Sequence, residues 1–83
     1  MISSDLDPVV IGKVISRIRF DRGLTQEVLS GLAGIGRSHL SAIERGQRRP
    51  TLETFYRICC SLDVPMSSVV KEIEDQMKKS DGR

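Results

Sequence analysis

The chain has 83 residues with 13 Lys and Arg against 11 Asp and Glu, so its formal net charge of +2 does not by itself indicate a nucleic-acid partner. Two Phe, one Tyr and no Trp argue against a surface on which single-stranded bases would stack. One His and two adjacent Cys offer neither spaced metal ligands nor a nucleophile beside a base, so we expect no enzyme, no metal site, no cofactor and no small-molecule ligand.

The first helix is predicted to follow a flexible N-terminal segment, residues 1–6. Asp7 can cap its N-terminus and Pro8 suits its first turn. We expect the helix to end at about Arg22, because Gly23 is the residue type that ends helices. Its buried apolar residues recur at helical spacing: Ile11, Ile15 and Ile18.

Two short helices joined by a glycine turn are predicted next. Thr25 can cap the first of them through its hydroxyl, and Gly34 supplies the left-handed residue that ends it. The second is expected over about residues 36–45, opened by Gly36 at its cap position. Its inward-facing residues are Leu40 and Ile43.

The outward face of this second short helix has no bulky apolar residue. It carries Arg37, Ser38, Ser41, Ala42 and Arg45. Guanidinium groups can donate two parallel hydrogen bonds to guanine, hydroxyls can bond bases or phosphates, and a methyl group can contact thymine. These residue types on one helix face predict a recognition helix for the DNA major groove.

Two further helices complete an all-α, five-helix domain expected over residues 7–79. Pro50 and Thr51 mark the start of the fourth, and a break at Asp63-Val64-Pro65 separates it from a fifth, predicted from about Met66 to Lys79. Residues 80–83 are expected to form a flexible tail. The apolar residues of the fourth helix are Leu52, Phe55, Ile58, Cys59 and Leu62.

The fifth helix carries an apolar stripe with two interpretations. Its members are Met66, Val69, Val70, Ile73 and Met77. The stripe either covers only the core of its own domain or also pairs with a second copy of the chain. Because one recognition helix reads few base pairs, we expect a homodimer. The predicted dimer contacts are Tyr56, Val69, Ile73 and Met77.

The two cysteines are predicted to be free. Cys59 and Cys60 are neighbours on a helix, so their side chains point about 100° apart and a disulfide between them would require distortion. Cys59 falls at an apolar position and is expected to be buried, with Cys60 nearer the surface. Free thiols, the absence of a signal-peptide core and the absence of a membrane-spanning run predict a cytoplasmic protein with no membrane contact.

The central segment LTQEVL…AGIG…LSAIERGQRRP resembles the lambda-repressor-like (Cro/repressor, XRE-type) helix-turn-helix domain. The resemblance covers roughly residues 9–65. Many positions match in register, which makes the signal strong. The matching positions are Ile11-Gly12, Ile15 to Arg19, Gly23-Leu24-Thr25-Gln26, Leu29-Ser30, Gly34-Ile35-Gly36, Leu40-Ser41, Ile43-Glu44, Gly46 and Pro50.

The resemblance implies roles for individual residues. Arg19 and Glu44 match a pair that forms an internal salt bridge in the family. The positions that match base contacts are Arg37, Ser38, Ser41 and Ala42. Those that match phosphate contacts are Gln26, Arg45, Arg48 and Arg49.

The function that this resemblance implies is regulation of transcription by a homodimer on an inverted-repeat DNA operator. Controller proteins of restriction–modification systems and small phage-type repressors share this compact plan. The alternative is a protein-interaction module, such as an antitoxin-type protein, that uses the same surface to hold a partner. DNA binding should weaken steeply with salt, whereas an apolar protein contact should weaken far less.

Overall fold

The computed structural model describes residues 4–81, and all regular structure in that range is helical. The helices are α1 (Pro8–Asp21), α2 (Gln26–Ala33), α3 (Arg37–Glu44), α4 (Leu52–Ser61) and α5 (Met66–Asp81). This confirms the all-α, five-helix prediction. The predicted end of α5 at Lys79 is two residues short, because the helix continues through Ser80 to Asp81. Of the predicted flexible ends, residues 1–6 and 80–83, residues 1–3 and 82–83 lie outside the described residues.

Side-chain caps start three of the helices. Val9 donates its backbone N–H to Asp7 Oδ1 at 2.9 Å, and Val28 donates to Thr25 Oγ1 at 3.1 Å, as predicted for both caps. Thr51 caps α4 in the same way. Gly36 precedes α3 in an extended conformation without a side-chain hydrogen bond, so α3 begins with its first backbone N–H groups uncapped by a side chain.

Helices α1 to α4 end with one shared pattern of hydrogen bonds. After each helix a residue with positive φ turns the chain back, and the next residue donates to a carbonyl in the last helical turn. At α3, Gly46 has φ +77°, Gly46 N–H donates to Ile43 O, and Gln47 N–H donates to Ala42 O. The left-handed residues of the four ends are Gly23, Gly34, Gly46 and Asp63.

One core fills the space between the helices. α1 packs against α3 and α5, α2 against α3 and α4, and α4 against α5. The close approach of α1 to the end of α3 requires Gly12, since a Cβ there would overlap the carbonyl oxygens of Ile43 and Glu44. The buried apolar residues are Ile11, Val14, Ile15, Leu29, Ala33, Leu40, Ile43, Phe55, Ile58, Cys59, Leu62, Val69 and Ile73.

The structure corrects two of the predicted dimer contacts. Val69 and Ile73 are only 1% and 5% exposed, because they face α1 and α4 and belong to this core. They offer little surface to a second copy, although Ile73 also lines a groove beside Leu52 and Val70. Met77 is partly buried against the same core, and Tyr56 is 54% exposed.

Both cysteines are free thiols, with Cys59 buried and Cys60 exposed, as predicted. Burial raises the pKa of the Cys59 thiol to about 11. Among the described side chains, no group of three or more His, Cys, Asp and Glu residues is close enough together to hold a metal ion. None of the described helices is long and apolar enough to cross a membrane.

Candidate nucleic-acid interface

α3 is the second of the two helices that flank the glycine turn, and one of its faces is directed away from the core. Leu40 and Ile43 are fully buried and fix the rotation of α3 about its axis. Arg37 and Ser38 are exposed at its N-terminal end, and two smaller residues, Ser41 and Ala42, are partly exposed one turn later. The four predicted base-contacting residues therefore lie on one side of α3, directed away from the core.

A buried ion pair joins α1 to the end of α3. Arg19 donates from Nε to Glu44 Oε2 at 2.7 Å and from Nη2 to Glu44 Oε1 at 2.9 Å. The two side chains are 10% and 5% exposed. The hydrogen bonds to Glu44 raise the pKa of the Arg19 guanidinium above its usual value. This is the internal salt bridge that the resemblance implies, and its bidentate geometry fixes the orientation of both side chains.

The same ion pair organises the start of α2. Arg19 donates from Nη1 to the backbone carbonyl of Leu24 at 2.9 Å, and its Cζ lies 4.8 Å from the centre of the Phe20 ring. Gln26, the first residue of α2, donates from Nε2 to Glu44 Oε1 at 3.0 Å. One carboxylate thus connects three helices, and it holds the side chain of Gln26 in a defined position.

The hydrogen bond to Glu44 uses only one of the two amide protons of Gln26. A primary amide has two N–H donors, so the second stays available to an external acceptor. The first backbone N–H groups of α2 lie at the same helix end, where the helix dipole favours an anion. The structure therefore assembles several hydrogen-bond donors at the residue predicted to hold a phosphate.

The segment from α3 through the following loop presents positive charge to the outside. Residues 37–49 contain four arginines and one carboxylate, Glu44, which is turned inward toward Arg19. Arg37 and Arg48 are exposed and pair with no carboxylate that the structure describes. Arg49 reaches the backbone carbonyl of Leu6 at 3.3 Å. Nothing acidic in this segment offsets the arginines at its surface.

The contacts of the Arg45 side chain were not predicted from the sequence. Arg45 donates from Nη1 to Ser41 Oγ at 2.8 Å and from Nη2 to Gln47 Oε1 at 3.0 Å. The four-residue spacing of Ser41 and Arg45 was a signal for the first contact, because such residues are neighbours on a helix. The second depends on the turn at Gly46, which places Gln47 beside the end of α3.

An apolar groove on a different side of the domain, formed by α4 and α5, was not predicted either. Leu6, Leu52 and Val70 line it and are 54%, 74% and 41% exposed. Tyr56, one turn after Leu52 on α4, lies on the same face of that helix. The exposed apolar residue of α5 is therefore Val70, not its neighbour Val69.

The fold and the basic outward face of α3 define a helix-turn-helix DNA-binding domain. The helix-turn-helix family model matches residues 15–69, and the chain belongs to this family of DNA-binding transcriptional regulators. No strand occurs in the described part of the chain, in agreement with this fold.

Named relatives and solved structures agree with this assignment. The chain is 33% identical to the uncharacterized HTH-type transcriptional regulator y4dJ of Sinorhizobium fredii, a match that covers 80% of this chain and 86% of the relative. It is 32% identical to the transcriptional regulator ClgR of Mycobacterium tuberculosis, over 87% of this chain and 64% of ClgR. The restriction-modification controller protein C.AhdI of Aeromonas hydrophila has a similar structure, with a TM-score of 0.74 and 33% identity over 76% of this chain and 96% of that one. All three are named for regulation, and none for an enzymatic reaction.

Proposed function

We propose that this protein regulates transcription as a homodimer that binds a specific inverted-repeat operator, with α3 in the major groove of each half-site. One observation carries the proposal: Glu44, the only carboxylate between residues 37 and 49, forms a buried ion pair with Arg19. The outer surface of α3 and its following loop is thus positive, as contact with the phosphate backbone requires.

The base contacts are assigned to the outward face of α3. Arg37 lies in the first turn, where recognition helices of this type approach base edges. Its guanidinium suits guanine, and the hydroxyls of Ser38 and Ser41 suit either donors or acceptors on the bases. Ala42 contributes a methyl group that fits against the methyl of thymine. These side chains carry the sequence information of the complex.

The phosphate contacts are assigned to the rim around this face. Gln26 lies at the N-terminus of α2, while Arg48 and Arg49 lie in the loop after α3. Such contacts fix the register of the protein on the duplex without distinguishing sequences. Loss of any one of them should weaken binding to all duplexes alike.

The homodimer is supported by the apolar surface on α4 and α5. Leu52, Tyr56 and Val70 are each more than 40% exposed, and Leu6 extends the surface from the N-terminal segment. An exposed apolar surface of several residues around one groove is typical of a contact with another molecule, whereas single exposed apolar residues are not. A second copy is the occupant that an inverted repeat requires, because a two-fold operator matches a two-fold protein with half-sites about 34 Å apart.

The test is selection of bound duplexes from a random pool at near-physiological salt. We expect enrichment of an inverted repeat with half-sites separated by about one helical turn. Affinity for the enriched duplex should fall steeply as salt is raised, because bound counterions are released from the phosphates. A folded protein that enriches no duplex would refute DNA recognition and favour the protein-interaction module.

The biological setting is a further part of the proposal. The likeness to the controller protein C.AhdI favours a regulator of a restriction–modification system, with phage-type repressors as the second possibility. An operator found upstream of the regulator's own gene, beside genes for a methyltransferase and a nuclease, would support the first. Phage genes at that position would support the second.

A further inference from the structure

The guanidinium of Arg45 is held between two neutral acceptors at the end of the recognition helix. Ser41 Oγ accepts from Nη1 at 2.8 Å, and Gln47 Oε1 accepts from Nη2 at 3.0 Å. Ser41 lies one helical turn before Arg45, and Gln47 lies two residues after it. The side chain is therefore fixed from both directions along the chain.

The backbone turn after α3 is what brings Gln47 to this position. Gly46 adopts φ +77°, and Gln47 N–H bonds back to Ala42 O at 2.9 Å. No other residue type suits Gly46, because a Cβ there would also lie 2.8 Å from Val9 Cγ2. The location of the Gln47 side chain is thus a consequence of the fold.

The contacts of Arg45 differ in kind from those of the arginines that form ion pairs. Those arginines bind carboxylates: Arg17 pairs with Asp21 and Glu72, Arg19 with Glu44, and Arg57 with Glu53. Arg45 instead bonds an amide oxygen and a hydroxyl, which orient the guanidinium without neutralising its charge. Arg45 is exposed at the surface, beside the outward face of α3.

Orientation matters more for a base contact than for a phosphate contact. A phosphate attracts a positive charge from many directions, whereas the O6 and N7 acceptors of guanine require a planar pair of donors at a fixed angle. Arginine also loses rotamer freedom when it binds, and a side chain already held in place loses less. A guanidinium fixed by two hydrogen bonds is therefore suited to a base edge.

We propose that Arg45 contacts a guanine edge in each half-site, and that Gln47 is a positioning residue that holds Arg45 for this contact. This differs from the phosphate role expected for Arg45 from the sequence. The inference rests on the proposed function, since it concerns how the same DNA surface selects its operator. It assigns to Gln47, which lies outside the recognition helix, an effect on sequence preference.

The main test compares the enriched operator duplex with a shuffled duplex of the same composition. Arg45→Lys keeps the charge but not the planar donor pair, so we expect the ratio of the two affinities to fall about tenfold while binding to the shuffled duplex is unchanged. Arg48→Lys is the matched control from the neighbouring loop, and it should leave the ratio unchanged. Both residues are exposed, and unaltered thermal melting will show that the variants fold.

The positioning role is tested by removing the acceptor of Gln47. Gln47→Leu should lower the affinity ratio about threefold in the wild-type background. The same substitution should have no further effect in the Arg45→Lys background, because Gln47 acts only through the arginine. Equal losses in both backgrounds would overturn the positioning role.

Single guanines of the operator can be replaced by 7-deazaguanine, which lacks the N7 acceptor. In each half-site, replacement of one guanine should weaken binding by the wild-type protein but should not weaken binding by Arg45→Lys any further. That guanine is the one that Arg45 contacts. An affinity ratio that Arg45→Lys leaves intact would overturn the base contact but not the proposed function. A wild-type protein that binds the two duplexes equally would overturn both.

Discussion

Glu44→Gln removes the charge of the buried carboxylate while leaving the size of the side chain nearly the same. Arg19 would then keep a positive charge at a site where its side chain is only 10% exposed. Removing one partner of a buried ion pair costs about 3–5 kcal/mol. Arg19 retains its bond to the Leu24 carbonyl and its position over Phe20, so we expect the lower end, about 3 kcal/mol.

This loss is large for a domain of 83 residues, whose total free energy of unfolding is expected to be about 4–12 kcal/mol. Urea unfolding followed by circular dichroism measures it directly. With a denaturant dependence of about 1 kcal/mol per molar urea, the midpoint should fall by about 3 M. A loss below about 1 kcal/mol would refute the argument that the charge of Arg19 depends on Glu44 for compensation.

The double variant Arg19→Met/Glu44→Leu separates stability from function. It replaces the pair with apolar side chains, which in other proteins is neutral or stabilising, so it should unfold at higher urea than Glu44→Gln. It also removes the acceptor that holds Gln26. We therefore expect a stable protein that binds all duplexes more weakly. A double variant with full DNA affinity would show that Gln26 needs no positioning.

Three further predictions concern the dimer surface, one strained residue and the thiols. Leu52→Glu should give monomers in sedimentation equilibrium and leave folding intact, since Leu52 is 74% exposed. Leu32→Glu on α2, where Leu32 is 63% exposed, is the control and should remain dimeric. If only Leu32→Glu gave monomers, the dimer interface would lie on α2. Asp63→Gly should stabilise the domain by up to about 1 kcal/mol in urea unfolding, because Asp63 has φ +59°. No gain would mean that the strain relieved at this residue does not exceed the entropy that glycine adds to the unfolded chain. In native protein a thiol reagent at mildly alkaline pH should modify Cys60 and spare buried Cys59, and equal rates would contradict the burial. Because the folded state holds the pKa of Cys59 at about 11 while the unfolded thiol titrates near 9.0, this thiol should make unfolding easier as pH rises through that interval.

The helix boundaries were largely predictable from local chemistry. Asp7 and Thr25 are residues whose side chains cap helices, and Gly34 is the residue type that turns a chain out of one. Such signals depend on the helix end itself and not on its neighbours. No such signal follows the predicted end of α5, because neither glycine nor proline lies between Lys79 and Gly82. The predicted end was two residues short.

The direction of the apolar stripe on α5 was harder to predict. Val69 and Ile73 are four residues apart and share one line along the helix, whereas Val70 is rotated from that line by about 100°. Both groups are apolar, so hydropathy alone does not say which one the core covers. The longer line is the one that α1 and α4 bury, and the single residue beside it is left exposed.

The DNA surface was predictable in its residues but not in its internal contacts. Arg37 and Ser38 follow from helical spacing, which fixes the side of α3 on which each residue lies. The bonds of Gln26 to Glu44 and of Arg45 to Gln47 depend on how separate segments meet. Only the folded chain brings these groups together.

Glu44 links the stability of this domain to its capacity to bind DNA. A carboxylate on the outer surface of α3 would repel phosphates, yet turned inward it compensates Arg19, fixes the end of α3 against α1 and holds Gln26. The inward direction depends on Gly12, which lets α1 approach the carbonyl of Glu44. A side chain at position 12 should therefore cost stability, because moving α3 away from α1 separates Glu44 from Arg19. It should also cost DNA affinity, because the carboxylate that holds Gln26 is then no longer fixed.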